Sequence, residues 1–346
     1  MRKTVSILTC CDADPDRERF GAPALKGSEV ALRWDGVLHG LPRLIKASLD
    51  CRDAEGRSPR FTWLLRADHQ VAKLMGQADA AYLQFRHFWD DRANLGDELG
   101  WHPHHWRLIG SEALWQQELK DNVWMAEHLR EAHRALARHL KLNTVKTGWC
   151  FMNTTTLETF QQLGLKFEVS AMPGQFYQPT AEVGRAYYGE YNWKNTGFTA
   201  YYPQAKDYQL AMEPQICGDN APLLEIPISA GSDAFVTLLE NWTLALRRRQ
   251  WPSPRPGQFA TSLKITFNPW LFRRLWRGFL PQLQAQREPL IHTYFHPDET
   301  LPLRGRAAWF YSALNARNNL NFVLQSCREL GWPTRFVTAQ EYGERF

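Results

Sequence analysis

Apolar residues occur along this chain in two rhythms. Short, nearly unbroken runs fall at residues 5–11, 61–65, 98–102, 144–152, 167–170, 223–228, 290–295 and 336–338. Runs of that length predict strands, several of them buried on both faces. Between them, apolar positions recur at steps of three and four. Leu119, Val123, Ala126, Leu129, Ala132, Leu136 and Leu140 trace one face of an amphipathic helix. Residues 36–49 predict another, with Pro42 suited to its first turn. A third covers 154–163, capped by Asn153 and stopped by Gly164. A fourth covers 307–330, ending at Gly331 with Pro333 beyond it.

Strand alternating with helix predicts an α/β fold whose parallel sheet is open or closed into a barrel. In βα barrels the loops after the strands converge on one face, and active sites collect there. The chemically loaded residues of this chain follow that rule: Asp12 and Asp14, Arg66 and Asp68, His102 to His105, and His296 all sit at expected strand ends. Residues 175–220 are rich in Tyr, Gly, Pro and Asn and lack periodicity, so they read as a loop insertion over a cleft. Residues 251–257 form a second loop. One domain, 1–346, is expected, with no internal repeat.

Composition narrows the class. Hydrophobic residues make up 44% and charged residues 22%, which supports a sizeable core and argues against global disorder. The 15 tryptophans serve either as core packing or as walls of a cleft that stacks on sugar faces. A net charge of +5 is a mild excess, and no nucleic-acid-binding motif accompanies it, so no nucleic-acid partner is expected. Two basic clusters stand out: Arg247, Arg248 and Arg249, then Arg273, Arg274 and Arg277 beside Trp270 and Trp276. A solvated helix face explains them plainly; contact with an anionic membrane surface or a phosphate-bearing, lipid-linked sugar is the sharper reading. The first apolar run is too short for a signal peptide, and no run approaches the ~20 residues of a spanning helix. Six cysteines without a CxxC pair fit reduced, mostly buried thiols. The expected location is cytoplasmic, peripheral at the membrane if the basic clusters touch it.

The sharpest chemistry lies in Gly-Trp-His-Pro-His-His-Trp at 100–106, which packs His102, His104 and His105 into four residues. With carboxylates from Asp12 and Asp14, the imidazoles suit a divalent metal ion, zinc foremost, and a three-ligand site leaves a position open for water. Each group has a plainer reading. Asp12 and Asp14 precede a proline and suit a turn or cap, clustered histidines suit a solvated loop, and His292 with His296 on one strand face suits structure. Their joint arrival at strand ends favours metal-assisted hydrolysis.

From residue 5 to about residue 299 the order of landmarks resembles the polysaccharide deacetylases, the NodB-homology family of carbohydrate esterases. Asp12 and Asp14 resemble the family's opening aspartate pair, and Gly96-Asp97-Glu98-Leu99-Gly100 resembles the lead-in to its histidine motif. Val145-Lys146-Thr147-Gly148-Trp149 is similar to its third motif, with Lys146 where an arginine is expected. Residues 164–170 and 224–227 resemble later strands, and His296-Pro297-Asp298-Glu299 the closing motif. The family's second histidine falls four residues after the first, and that position holds Trp106. His104 or His105 must substitute. A His-x-His pair on an extended strand end puts both rings on one side, which favours His104 and leaves His105 to a supporting or substrate contact.

The resemblance implies an irregular (β/α) barrel of about seven parallel strands and a divalent metal ion, zinc above others. It implies Asp14, His102 and one of His104 or His105 as ligands, Asp12 as general base and His296 as general acid. Lys146, Trp149, Trp106 and Asp68 are expected at the substrate pocket. The expected reaction is removal of an N-acetyl or related acyl group from a carbohydrate or glycan, free or carried on a lipid or nucleotide. Two alternatives stand beside it: a glycosidase using paired carboxylates such as Asp12 and Glu225, which chelators would not affect, and a non-catalytic carbohydrate-binding protein on the same fold.

Overall fold

The computed structural model of the chain describes residues 3–16, 32–109, 114–177, 191–212, 222–239, 260–302 and 309–346. Its main sheet has eight strands, all paired in parallel: β1 (Val5–Ala13), β2 (Thr62–Arg66), β3 (Glu98–His102), β4 (Thr144–Val145), β5 (Phe167–Glu168), β6 (Leu224–Glu225), β7 (Leu290–Phe295) and β8 (Thr334–Val337). Their order is β6-β5-β4-β3-β2-β1-β7. One edge of β1 pairs with β7 from Ser6 to Cys11. The other is shared, with β8 beside Val5 to Leu8 and β2 beside Cys10 to Ala13.

The curl closes irregularly. Ser229 donates its backbone N–H to His292 O at 2.9 Å, and the His292 N–H returns a 2.9 Å bond to Ser229 Oγ. Leu263 N–H donates to Ser229 O at 2.8 Å, and Ile265 N–H to Thr293 Oγ1 at 3.0 Å. Residues 226–229 and 260–265 thus bridge β6 to β7, and the sheet becomes the expected irregular (β/α) barrel. His292 is part of this closure: its Nδ1 lies 3.1 Å from the carbonyls of both Ile226 and Pro227. Burial, with Lys146 nearby, lowers its pKa to about 3, so it is a neutral structural clamp.

Helices pack around the barrel: α1 (Leu41–Ser48), α2 (His69–Met75), α3 (Ala80–Gln84), α4 (Arg86–Asn94), α5 (Asn122–Leu136), α6 (Thr154–Gln162), α7 (Pro269–Ala285), α8 (Ala313–Glu329) and α9 (Ala339–Gly343). Side-chain caps set several starts. Asn153 Oδ1 accepts the Thr156 N–H at 2.8 Å, as its position before an apolar-periodic run predicts. Gly164 and Gly331 close α6 and α8 in the left-handed region (φ +77° and +70°), where a Cβ would be strained.

Several expected elements are shortened. The helix drawn through Leu119 to Leu140 covers only α5, bounded by Asp121 as cap, and Val123 faces solvent. The strand expected at 144–152 stops after two residues, where the chain turns under the histidine loop. The long helix expected from 307 is broken at Tyr311, which bridges to Phe267, and α8 starts afresh at Ala313 with Ser312 as its cap. Positions 307 and 308, the 251–257 loop, Arg247 to Arg249, Cys217 and much of the 175–220 segment lie outside the described residues.

The buried hydrophobic residues form one large cluster inside and around the barrel, with a small satellite of Trp106 and Trp115. Six tryptophans, Trp63, Trp89, Trp101, Trp106, Trp115 and Trp193, are almost fully buried. For them the core explanation of the aromatic content holds.

Candidate metal centre

The site is assembled at the C-terminal ends of β1, β3 and β7. Every residue of β1 is buried, and the strand runs two residues past its apolar stretch, so Asp12 lies in the strand and Asp14 just beyond it. Strand β3 ends at His102. Pro103 then holds the chain extended, and its carbonyl accepts the Gly148 N–H at 2.7 Å. This ties the histidine loop to the turn after β4.

Among the described residues, one group of metal-ligating side chains converges: Asp14, His102 and His104, all buried. The two Nε2 atoms are 3.1 Å apart. His102 Nε2 lies 3.5 Å from Asp14 Oδ2, and His104 Nε2 lies 3.5 Å from Asp14 Oδ1. Ligands about 2.0–2.1 Å from a tetrahedral zinc lie about 3.3–3.4 Å from one another, so the three spacings fit such an ion. The tautomers fit as well. His102 Nδ1 sits 2.7 Å from the Lys146 carbonyl, which can only accept, so Nδ1 carries a proton and Nε2 is the ring nitrogen directed at Asp14. Burial, reinforced by Arg66, lowers His104 to about pKa 4 and keeps it neutral. Two imidazoles meeting nitrogen to nitrogen beside a carboxylate are an arrangement that a cation stabilises.

The supports are equally specific. Arg66, fully buried, donates from Nη1 to Asp14 Oδ1 at 2.7 Å and from Nε to Asp68. Burial alone would push Asp14 up, but His102, His104 and Arg66 hold its carboxyl well below the usual range. Asp68 Oδ2 also accepts the His104 N–H at 3.1 Å, and its Oδ1 caps α2 through the Val71 N–H at 2.9 Å. Gly148 lies against the His104 ring; a Cβ there would fall 2.1 Å from His104 Cγ. Only glycine allows β4 and the histidine loop this close. The next two residues, Trp149 and Cys150, have φ of 59° and 54°, a left-handed pair that costs of order 1–3 kcal/mol each.

Asp12 and His296 flank the triad. His296 Nε2 lies 3.7 Å from Asp12 Oδ2 and 3.9 Å from Asp14 Oδ2. Lys146, buried, donates to Asp12 Oδ2 at 2.5 Å and sits 3.8 Å from the centre of the Tyr294 ring. Burial opposes both charges of this pair. Attraction wins, so Lys146 is held above and Asp12 below their ordinary values, with His102 and His296 also lowering Asp12. On the far side of His296, Nδ1 is 3.5 Å from Glu299 Oε1, and Glu299 accepts from Thr266 Oγ1 at 2.6 Å.

Some expected site residues lie elsewhere. His105 is not part of the converging group; its ring packs edge-on against Phe151, and burial lowers it to about pKa 4. Trp106 does not wall an open pocket: it is fully buried and stacks at 11° on His104, bracing that ring from behind. Asp68 is likewise buried, with both oxygens taken by Arg66, His104 and Val71. Trp149 is half-buried at the edge of the Trp106 and Trp115 cluster. Lys146 reaches Asp12 rather than the mouth of the site. Glu225, the suggested partner of Asp12 in a glycosidase, instead hydrogen-bonds with Glu168, and its Oε1 accepts the Ala171 N–H at 3.0 Å. Glu299, Tyr294 and Lys264 were given no role by the sequence. Glu299 lies three residues beyond His296 in the closing motif, which was the available signal for it.

No protein-family model matches the chain, and no curated protein matches it by sequence. Solved structures do. A protein from Mycobacterium smegmatis assigned as a polysaccharide deacetylase is 12% identical, with a TM-score of 0.50 over 100% of this chain and 91% of that one. A Parabacteroides distasonis protein assigned as a glycoside hydrolase/deacetylase is 11% identical, with a TM-score of 0.55 over 99% of this chain and 71% of that one. PuuE allantoinase is 11% identical, with a TM-score of 0.51 over 99% and 90%. At such identities the likeness is one of fold, and the fold is the polysaccharide deacetylase-like barrel.

Proposed function

We propose that this protein is a metal-dependent hydrolase that removes an N-acetyl or related acyl group from a carbohydrate. The observation carrying this reading is the convergence of Asp14, His102 and His104 within ligand spacing, flanked by Asp12 and His296, at the strand ends of a deacetylase-like barrel. Similar folds include proteins assigned as polysaccharide deacetylases and an allantoinase, which supports hydrolysis.

Asp14, His102 and His104 would hold the ion, with zinc fitting the donor set. When bound it would supply Lewis-acid polarisation of the acyl carbonyl and acidify a water. The chain supplies the proton transfers. Asp12, kept ionised by Lys146, accepts the proton of the attacking water through its carboxylate. His296, less buried than its neighbours, gives a proton from Nε2 to the departing amine, with Glu299 oriented toward Nδ1. Lys146 in this role does for Asp12 what the arginine of the resembled family would do, by charge rather than by a planar fork.

The paired-carboxylate glycosidase reading is weaker because Glu225 is committed to Glu168 and a backbone amide. The non-catalytic reading, for which Lys146 and Trp106 would mark lost chemistry, is weaker because Lys146 keeps a cation on Asp12 and His104 stands beside His102 and Asp14 where Trp106 offers no ligand. The test is acetate release from N-acetylated sugars and oligosaccharides by the purified protein. Activity should need metal and be lost in Asp12→Asn, His102→Ala and His296→Ala. Glycosidic cleavage that survives a chelator would contradict the reading.

A further inference from the structure

Helix α7, residues 269–285, carries three arginines and no carboxylate. Its inner face buries Leu271, Phe272, Leu275, Trp276 and Phe279. Its outer face aligns Trp270, Arg273, Arg274 and Arg277 at helical spacings of three, one and three. Trp270 is 51% exposed and meets Phe235, 49% exposed, edge to face at 5.6 Å. Leu238, one turn on from Phe235, is 54% exposed. Arg274 lies across both rings, 5.2 Å from Phe235 and 5.3 Å from Trp270, while pairing with Asp233 at 3.0 Å. At the start of the helix, Asn268 Nδ2 donates to the carbonyl of Trp309, itself 48% exposed, at 3.0 Å. Two tryptophans, a phenylalanine and a leucine are thus grouped on the surface around exposed arginines. Scattered apolar residues are ordinary; a cluster of large ones rimmed by polar residues marks an interaction surface, and beside the Arg274–Asp233 pair the exposed Arg273 and Arg277 make this rim net basic.

Where this surface lies is informative. Helix α7 ends before β7 begins, so its first turn is at the end of the barrel where the strands finish, the end that carries the candidate metal centre. A continuous path links them. Phe267 stacks on Tyr311 at 5.3 Å, Lys264 Nζ lies over Tyr311 and Tyr294 at 5.8 and 5.0 Å, and Lys264 is 3.9 Å from Glu299 beside His296.

We propose that the face formed by Phe235, Leu238, Trp270, Trp309, Arg273 and Arg277 seats on an anionic lipid surface, turning the catalytic end of the barrel toward substrate carried there. Exposed tryptophans suit the headgroup layer because they are apolar with one polar edge, and arginines beside them meet lipid phosphates. A charged polymer would use the arginines but not the apolar quartet. The delivery of substrate rests on the hydrolase reading, whereas docking itself does not, and its test measures binding alone.

Flotation with vesicles of phosphatidylcholine, with and without phosphatidylglycerol, reads it directly. The protein should bind the anionic vesicles, more weakly in high salt. Arg273→Gln/Arg277→Gln should lower partitioning about fivefold for each arginine removed. Trp270→Ala/Trp309→Ala should remove the part of binding that resists salt. All these sites are exposed, so unchanged thermal midpoints will show that folding is intact. Absence of binding to anionic vesicles, or equal binding by both variants, would overturn the proposal. So would heparin binding that the tryptophan variant retains alongside no vesicle binding, which would assign the face to a charged polymer.

Discussion

Single residues here are held in charge states their surroundings impose. Glu168 and Glu225 are fully buried and hydrogen-bonded to each other, and burial, with Glu168 beside it, raises Glu225 well above the ordinary glutamate value. The native state therefore keeps a proton that the unfolded chain has released. This contribution to stability is complete below the ordinary glutamate pKa and is lost as pH rises toward the raised one, by up to about 1.4 kcal/mol per pH unit. Glu225→Gln keeps an acceptor for the Ala171 N–H and a donor for Glu168, so it should flatten that slope and exceed wild type in stability at pH 8. Denaturant melts at pH 5 and pH 8 measure this, and equal slopes in both proteins would refute it. Lys146 works in the opposite sense, by neutralising Asp12. Lys146→Met leaves a buried carboxylate without its cation, at a cost of about 3–5 kcal/mol. It should also move the acidic limb of the pH–rate profile to higher pH, because Asp12 loses its chief stabiliser. An unmoved limb would remove Lys146 from the proposed chemistry.

Elements set how closely such residues meet. The approach of the turn after β4 to the histidine loop depends on Gly148, since any Cβ collides with the His104 ring. Gly148→Ala should displace that ring and weaken metal binding about 10–100-fold, the range seen when a ligand loses its support, while the far side of the barrel stays folded. Zinc titration followed by calorimetry decides it; wild-type affinity would mean that the loop accommodates a methyl group freely. The sequence carried the elements whose signals are local. Strand β7 matches its apolar run, and Asn153, Gly164 and Gly331 mark helix ends through caps and left-handed turns. What stayed hidden is set by tertiary contact. Trp106 reads like a pocket wall until burial against Trp115 and His104 makes it a brace, and Asp68 reads like a free carboxylate until Arg66 and two backbone amides occupy it. Strand β4 is short because the chain must turn beneath His104, which no propensity of residues 144–152 records. The convergence of His102, His104 and Asp14 was legible because their types, order and strand-end positions carry the signal; His105, adjacent and chemically identical, differs only in where its ring points.

At the scale of the whole molecule, a barrel stitched shut by His292 and Ser229 brings Asp12 and Asp14 from the end of β1, His102 and His104 from the end of β3, Lys146 from the end of β4 and His296 from the end of β7 together at one end. Metal binding should therefore stabilise the fold by mass action, by about 2.7 kcal/mol at a hundredfold excess over Kd. A rise in thermal midpoint with zinc in wild type and Asp12→Asn, absent in His104→Ala, is expected. The most direct test of the central claim is metal stoichiometry by elemental analysis of purified, zinc-loaded protein. Wild type and Asp12→Asn should each hold one ion per chain, and Asp14→Ala and His102→Ala should hold almost none while remaining folded. A wild-type protein that stays metal-free after loading, or a His102→Ala variant that keeps its ion, would contradict it.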